Sequence, residues 1–183
     1  MKPLTIIFVF LISIILHSCS AEDPLPTSGV NSFIAQLNGE RFVAENKIHF
    51  PGGTKYGLNS SFRNNSWELS VSNTSDKTIY FYINNVFEPN SYLIEEGDRN
   101  VVRPNPAETP TSVVIRNSSL DLLFISGSQT ENEYIRIMRV QGDSILIGEF
   151  KKITLIDPED PNNTAILSDG KFNINRNTLN QQE

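Results

Sequence analysis

The sequence predicts an all-β protein, an antiparallel β-sandwich or barrel built of consecutive hairpins, and three observations predict it. Apolar and polar residues alternate with a period of two along most hydrophobic stretches after Asn31. Those stretches are short, and turn formers such as Asn38-Gly39, Asn64-Asn65 and Asn73-Thr74-Ser75-Asp76 separate them. Helical periodicity is missing from the same span. A row of short strands must close on itself or stack in order to cover its edges, and the sequence leaves both solutions open.

Taken in order, Phe33, Ala35 and Leu37 alternate with Ile34 and Gln36, Asn38-Gly39 turns the chain, and Arg41–Ala44 returns it as a hairpin. Tyr56, Leu58, Ser60 and Phe62 share one side of a second strand pair, whose return strand carries Trp67, Leu69 and Val71. Further strands are expected at Thr78–Ile83, Ser91–Ile94, Ser112–Arg116, Leu120–Ile125, Glu133–Val140, Ser144–Ile156, Thr164–Leu167 and Lys171–Asn175. Between Gly97 and Pro110, the prolines at 104, 106 and 110 exclude a central strand and predict a long surface loop. Asn38-Gly39 and Asp169-Gly170 suit turns that need positive φ, and Gly148 suits a bulge or a close backbone approach.

Ahead of this domain lies a different kind of segment. Lys2 adds positive charge beside the terminal amine, and Leu4–Leu16 is apolar apart from Thr5 and Ser13. That run is shorter than the roughly 20 residues a spanning helix needs, and His17–Asp23 ends it in polar residues. It reads as a signal peptide, residues 1–18, removed on export. Leu16-His17-Ser18-Cys19 resembles a lipobox, which implies cleavage before Cys19 and diacylglycerol and palmitate chains on that residue. Several acyl chains anchor durably, because each buried CH₂ contributes about 0.8 kcal/mol. Residues 19–31 then form a lipidated cysteine and a flexible tether, and residues 32–183 a single domain. Ser20-Ala21-Glu22-Asp23 resembles the acidic signal that sends lipoproteins of Bacteroidota to the outer face of the outer membrane, so the expected address is that membrane, facing the cell exterior.

Charge and cysteine count narrow the function classes. The chain carries 15 basic and 21 acidic residues, a formal charge of −6, and loss of Lys2 with the signal peptide makes it more acidic. With no cluster of lysine or arginine, it lacks the basic stripe that nucleic-acid binding demands. Cys19 is the only cysteine, so no disulfide is available and stability must come from the core.

Three phrases in order, Phe33–Gly39 with Phe42-Val43-Ala44, then Ile147-Gly148-Glu149-Phe150, then Ser168-Asp169-Gly170-Lys171-Phe172, resemble an uncharacterised surface lipoprotein family of Bacteroidota. The resemblance spans roughly Phe33 to Ile174. It implies a compact β-domain on a lipid tether and supplies no catalytic or binding residues.

The residues themselves offer little chemistry. After signal-peptide removal His49 is the one histidine, so neither a histidine pair for a metal nor a Ser-His-Asp triad can be built, and a polar strand end beside Pro51-Gly52-Gly53 accounts for it. Carboxylates gather at Glu95-Glu96-Gly97-Asp98 and Asp157-Pro158-Glu159-Asp160. The second group, with Asn162 and Asn163, is rich in oxygen but lacks the glycine of an EF-hand loop, so a solvated turn is the simpler account against calcium at Asp157 and Asp160. A hydrolase would need two facing carboxylates, drawn from Glu95, Asp98 or Asp157. Asp143-Ser144-Ile145 resembles a short O-glycosylation acceptor.

Aromatic rings are the remaining candidates, because flat rings can stack on sugars. Trp67, Tyr80 and Tyr82 are the candidate ligand-binding residues, with core packing as the competing account of each. The expectation is therefore a non-enzymatic binding module, without cofactor or metal, for a glycan or other extracellular ligand, held to the membrane through its lipid. The alternative is a structural or accessory envelope protein with a protein partner.

Overall fold

A computed structural model describes residues 31–97, 110–127 and 133–180. Among them there is no helix; thirteen strands are joined by turns. In chain order these are β1 (Ser32–Leu37), β2 (Glu40–Val43), β3 (Ile48–Phe50), β4 (Gly53–Lys55), β5 (Leu58–Arg63), β6 (Ser66–Ser72), β7 (Lys77–Ile83), β8 (Asn90–Leu93), β9 (Ser112–Asn117), β10 (Leu122–Ser126), β11 (Tyr134–Gln141), β12 (Ile145–Ile156) and β13 (Thr164–Asn175). All pair antiparallel, in one eleven-stranded sheet of order β2-β1-β13-β12-β10-β9-β7-β6-β5, from which β11 branches off β12 and carries β8, and a separate β3-β4 hairpin.

The large sheet is curled into a half-barrel. Phe33 on β1 and Phe81 on β7 are five strand positions apart in sheet order, which in a flat sheet means ~24 Å at about 4.8 Å per strand. Their ring centroids are in fact 5.3 Å apart, and Phe150 on β12 reaches both, at 6.4 and 5.6 Å. The three rings meet across the concave interior, which is filled by Leu69, Ile79, Ile153, Leu167 and other fully buried side chains. Period-two alternation thus has the meaning the sequence suggested: one face of most strands of the large sheet lines this interior.

Most turns follow from local chemistry. Asn38 and Gly39 both take positive φ, as do Asn64 and Asn65, the backbone that two-residue hairpins require. At Asp169-Gly170 the expectation of a turn is corrected. The chain runs through as one strand, β13, in which Asp169 has φ +52° and the register against β1 slips between Ile34 and Gln36. The positive φ therefore serves a bulge, which bends the strand where a turn would have reversed it. The β3-β4 hairpin, turned at Pro51-Gly52, is an element the sequence reading did not resolve; it places His49 at a strand centre, with Nδ1 3.1 Å from Thr54 Oγ1. The expected loop from Gly97 to Pro110 falls almost wholly outside the described residues.

The reciprocal pairing of β12 and β13 fixes the centre of the sheet. Gly148 lies opposite Phe172, and Phe150 opposite Gly170. Each ring lies over the glycine facing it: a Cβ on Gly148 would stand 2.9 Å from Phe172 Cε2, and one on Gly170 would fall inside the Phe150 ring. Gly148 also lies opposite the register shift in β11 between Ile137 and Arg139, and a Cβ there would come to 2.8 Å from the Arg136 carbonyl oxygen. The close backbone approach expected at Gly148 is thus an approach of ring and carbonyl together.

One edge of β12 changes partner along its length. Ile145–Glu149 pairs with β11, and Leu155–Ile156 with β10. In the gap between, Glu133 supplies the acceptor that a neighbouring strand would otherwise provide. Its carboxylate accepts from Thr154 N at 2.8 Å and from Thr154 Oγ1 at 2.7 Å, with the residue only 8% exposed. A buried carboxylate is tolerated there because both hydrogen bonds replace water.

Candidate functional site

The rings singled out in the sequence do not form one surface. Trp67 faces the interior, 1% exposed, packed edge-on against Phe62 with centroids 5.3 Å apart. Tyr80 and Tyr82 point to the opposite face of the sheet, where Tyr82 packs with Val114 and Ile125, and Tyr80 and Leu123 flank them. The segment ending at Gly97 crosses this outer face: Gly97 N donates to Ser126 O at 2.9 Å, and a Cβ on Gly97 would meet Val114 Cγ2 at 3.3 Å. Tyr82 is consequently only 7% exposed. Trp67 and Tyr82 are thus buried by packing, while Tyr80 is half-buried on the outer face.

The carboxylate clusters are likewise engaged or dispersed. Asp157 Oδ1 accepts from Glu159 N at 2.9 Å and Oδ2 from Asn163 Nδ2 at 3.1 Å, while Asp160 Oδ1 accepts from Asn162 N at 3.2 Å. These oxygens staple the β12–β13 turn. The Glu159 amide, and after it Asn163, hold the Asp157 carboxyl below the ordinary aspartate range. Glu95 belongs to the sheet-crossing segment, held by its backbone, whose amide donates to Thr111 O and whose carbonyl accepts from Ser126 Oγ, while the residue itself is exposed; Asp98 lies outside the described residues. Among the described residues no three His, Cys, Asp or Glu side chains gather as a metal site would require.

A concave site forms elsewhere, at the seam where the half-barrel stops short of closure. The sheet ends in β2 on one side and β5 on the other. Backbone bonds draw these edges together at one end: Glu45 N donates to Ser72 O (3.1 Å), Gly57 N to Glu45 O (3.0 Å) and Ser72 N to Gly57 O (2.6 Å). Gly57 is required there, since a Cβ would stand 2.6 Å from Ser72 O and 2.7 Å from Glu45 N. From the other side the turn after β13 bridges the opening. Asn31 Oδ1 accepts from Asn175 N at 2.6 Å, Asn31 Nδ2 donates to Thr178 Oγ1 at 3.1 Å, and Asn180 Nδ2 donates to Asn59 Oδ1 on β5 at 3.0 Å.

Between these ties lies a cleft of about 620 Å³. Its apolar wall comes from Phe33, Val43, Leu58 and Leu179. Asn31, Glu45, Asn46, Lys47, Tyr56 and Asn180 supply polar groups around it. The volume falls in the range of small-ligand pockets, roughly 300–1,000 Å³. An apolar wall edged by amides, a phenol and one charge of each sign can bind a neutral, hydroxyl-rich molecule. Sequence reasoning missed this site because its residues come from three separated stretches, none of which alone departs from strand-and-turn grammar. The run Glu45-Asn46-Lys47 ahead of Tyr56, polar residues that continue no strand, was the available signal.

Comparison of the chain with protein-family models, with curated proteins and with solved structures returns no match, so the site is read from its own geometry.

Proposed function

We propose that this chain is a non-enzymatic binding module, anchored by acyl chains on Cys19 to the outer membrane with its domain facing the cell exterior, and that the seam cleft is where it takes a glycan-like ligand. The observation that carries the reading is the cleft itself: about 620 Å³, apolar on one wall and lined with amide and hydroxyl groups. The Asn46 amide and the Asn180 side-chain carbonyl oxygen offer hydrogen-bonding groups of the kind that sugar hydroxyls need, and Tyr56 adds a ring with a polar tip. The apolar run Leu4–Leu16 and the Leu16-His17-Ser18-Cys19 junction support the anchor.

A thermal-shift screen of the domain from Val30 to Glu183 against glycans, lipids, peptides and divalent cations tests the binding reading. A ligand at 100 times its Kd raises stability by about 2.7 kcal/mol. The expected result is a shift with one sugar class that Tyr56→Ala and Asn180→Ala abolish; a library without any shift refutes the small-ligand role. Metabolic labelling with palmitate tests the anchor, with label expected on the native chain and none on Cys19→Ala.

A protein partner remains the second reading, favoured by one observation. Tyr134 and Leu93 stand directly opposite each other on the β11–β8 pair, 36% and 59% exposed, and among the described residues β8 has no strand on its other side. An open edge carrying apolar side chains is where a second chain adds a strand.

A further inference from the structure

We propose that the ligand of the seam cleft is the uncharged sugar headgroup of a glycolipid in the membrane that holds the chain. This inference rests on reading the cleft as the binding site and Cys19 as the anchor, and it adds the class of ligand and the direction from which it comes.

Two independent features carry it. The first is how near in sequence the cleft lies to Cys19. Asn31, twelve positions after it, lines the cleft, stapled to Asn175 N and Thr178 Oγ1. The twelve residue steps from Cys19 to Asn31 span at most ~43 Å at about 3.3–3.6 Å per residue, so the cleft's lip is leashed within that distance of the acylated cysteine. A ligand embedded in the same leaflet is held inside the same reach, and leashing two partners together raises their effective concentration toward the millimolar range. Modest intrinsic affinity then suffices.

The second feature is the chemistry of the walls. Glu45 and Lys47 place one charge of each sign at the cleft, two positions apart. A phosphate would gain from Lys47 and lose to Glu45, whereas an uncharged polyol can hydrogen-bond to both. The amides of Asn46 and Asn180 and the Tyr56 hydroxyl extend that polar rim. Val43 and Leu179 add to the lining an apolar surface of the kind a glyceryl or acyl segment would cover, and a free sugar would leave it wet. Polar rim and apolar wall together match an amphiphile with a neutral head.

The test uses the mature acylated chain reconstituted in phosphatidylcholine vesicles, alone, with monoglycosyl diacylglycerol, or with phosphatidylglycerol. A fourth arm adds soluble methyl glycoside to the phosphatidylcholine vesicles. Mass spectrometry follows acetylation of Lys47, at the cleft, against Lys152, an exposed lysine on β12. The inference expects Lys47 to be acetylated about tenfold more slowly with the glycolipid than without it, the occupancy change that ~1.4 kcal/mol represents, with Lys152 unchanged. Val43→Glu, at an already exposed position, should restore the fast rate. Equal or greater protection by phosphatidylglycerol overturns the inference in favour of a phosphate ligand. Protection by the methyl glycoside equal to that by the glycolipid overturns the lipid part while leaving a glycan-binding cleft standing. If neither sugar-bearing arm slows Lys47, the inference falls, and an empty thermal-shift screen would then remove the proposed function as well.

Discussion

The Phe150–Gly170 contact can be broken from either side, and the two breaks should not add. Replacing Gly170 with Ala puts a methyl inside the Phe150 ring, so the ring must retreat by well over an ångström to recover an ordinary carbon–carbon distance of about 3.5–4.0 Å. That ring is 3% exposed and touches Phe33 and Phe81, which leaves it little room to move. Overpacking of this kind costs typically 1–3 kcal/mol, about as much as a large part of the ~5–15 kcal/mol that holds a domain together. Gly170 does not have positive φ, so the cost is steric and not conformational. Phe150→Ala removes the ring from the core and should cost about 3–5 kcal/mol. In the double variant the new methyl has nothing to strike, and Ala is better than Gly in a strand by roughly 0.5–1 kcal/mol. The double variant should therefore be no less stable than Phe150→Ala alone, a coupling of about 1–3 kcal/mol. Urea unfolding of the four proteins, with equal m values as the two-state check, measures this directly. Costs that add to within ~0.5 kcal/mol would refute the assigned packing.

Three further outcomes follow from other ties in the fold. Glu133→Ala leaves Thr154 N without its buried acceptor and should destabilise the domain by about 1–3 kcal/mol, while Glu133→Gln, which keeps an acceptor for the amide and a partner for the hydroxyl, should cost clearly less; chemical denaturation separates them. Gly57→Ala should open the seam, because its Cβ meets Ser72 O and Glu45 N; faster amide exchange at Glu45 and Ser72 than in β12 is the readout. Asp76 accepts from Ser119 Oγ at 2.6 Å and from Thr74 Oγ1 at 2.7 Å, bonds that hold its carboxyl below the ordinary aspartate range. A carboxyl with a lowered folded-state pKa contributes stability above the unfolded value near 3.9 and loses it as pH falls through the folded value. The native chain should thus lose stability in acid more steeply than Asp76→Asn, and coincident pH curves for the two would contradict the assignment.

Strand positions and most turns were legible because their causes are local. Alternation assigns a face to each side chain, and Asn-Gly or Asn-Asn accepts positive φ wherever it stands. Asp169-Gly170 shows the limit of that reasoning. Positive φ at Asp169 is a local property, but whether it reverses the chain or only bulges it depends on β1 and β12, which pair with β13 on either side. The same limit applies to Trp67, Tyr80 and Tyr82: period two put Trp67 and the tyrosines on strands, and the curl of the sheet with the crossing of the Gly97 segment decided that Trp67 and Tyr82 are buried while Tyr80 stays half-buried.

By itself, then, the sequence determined the all-β class, the hairpin order, the acidic and disulfide-free character of the chain, and the apolar run that precedes its single cysteine. Tertiary structure alone decided the rest. Curling brings Phe33 to Phe81 across five strand positions, the paired glycines on β12 and β13 receive each other's phenylalanines, and Glu133 stands in for a missing neighbour at Thr154. The cleft belongs to this second group, because Asn31, the stretch Val43–Leu58 and the stretch Thr178–Asn180 become neighbours only when a sheet too short to close leaves a seam between its first and last strands. Contacts between residues more than a hundred positions apart depend on how the whole sheet bends, and no periodicity within a single strand records that bend.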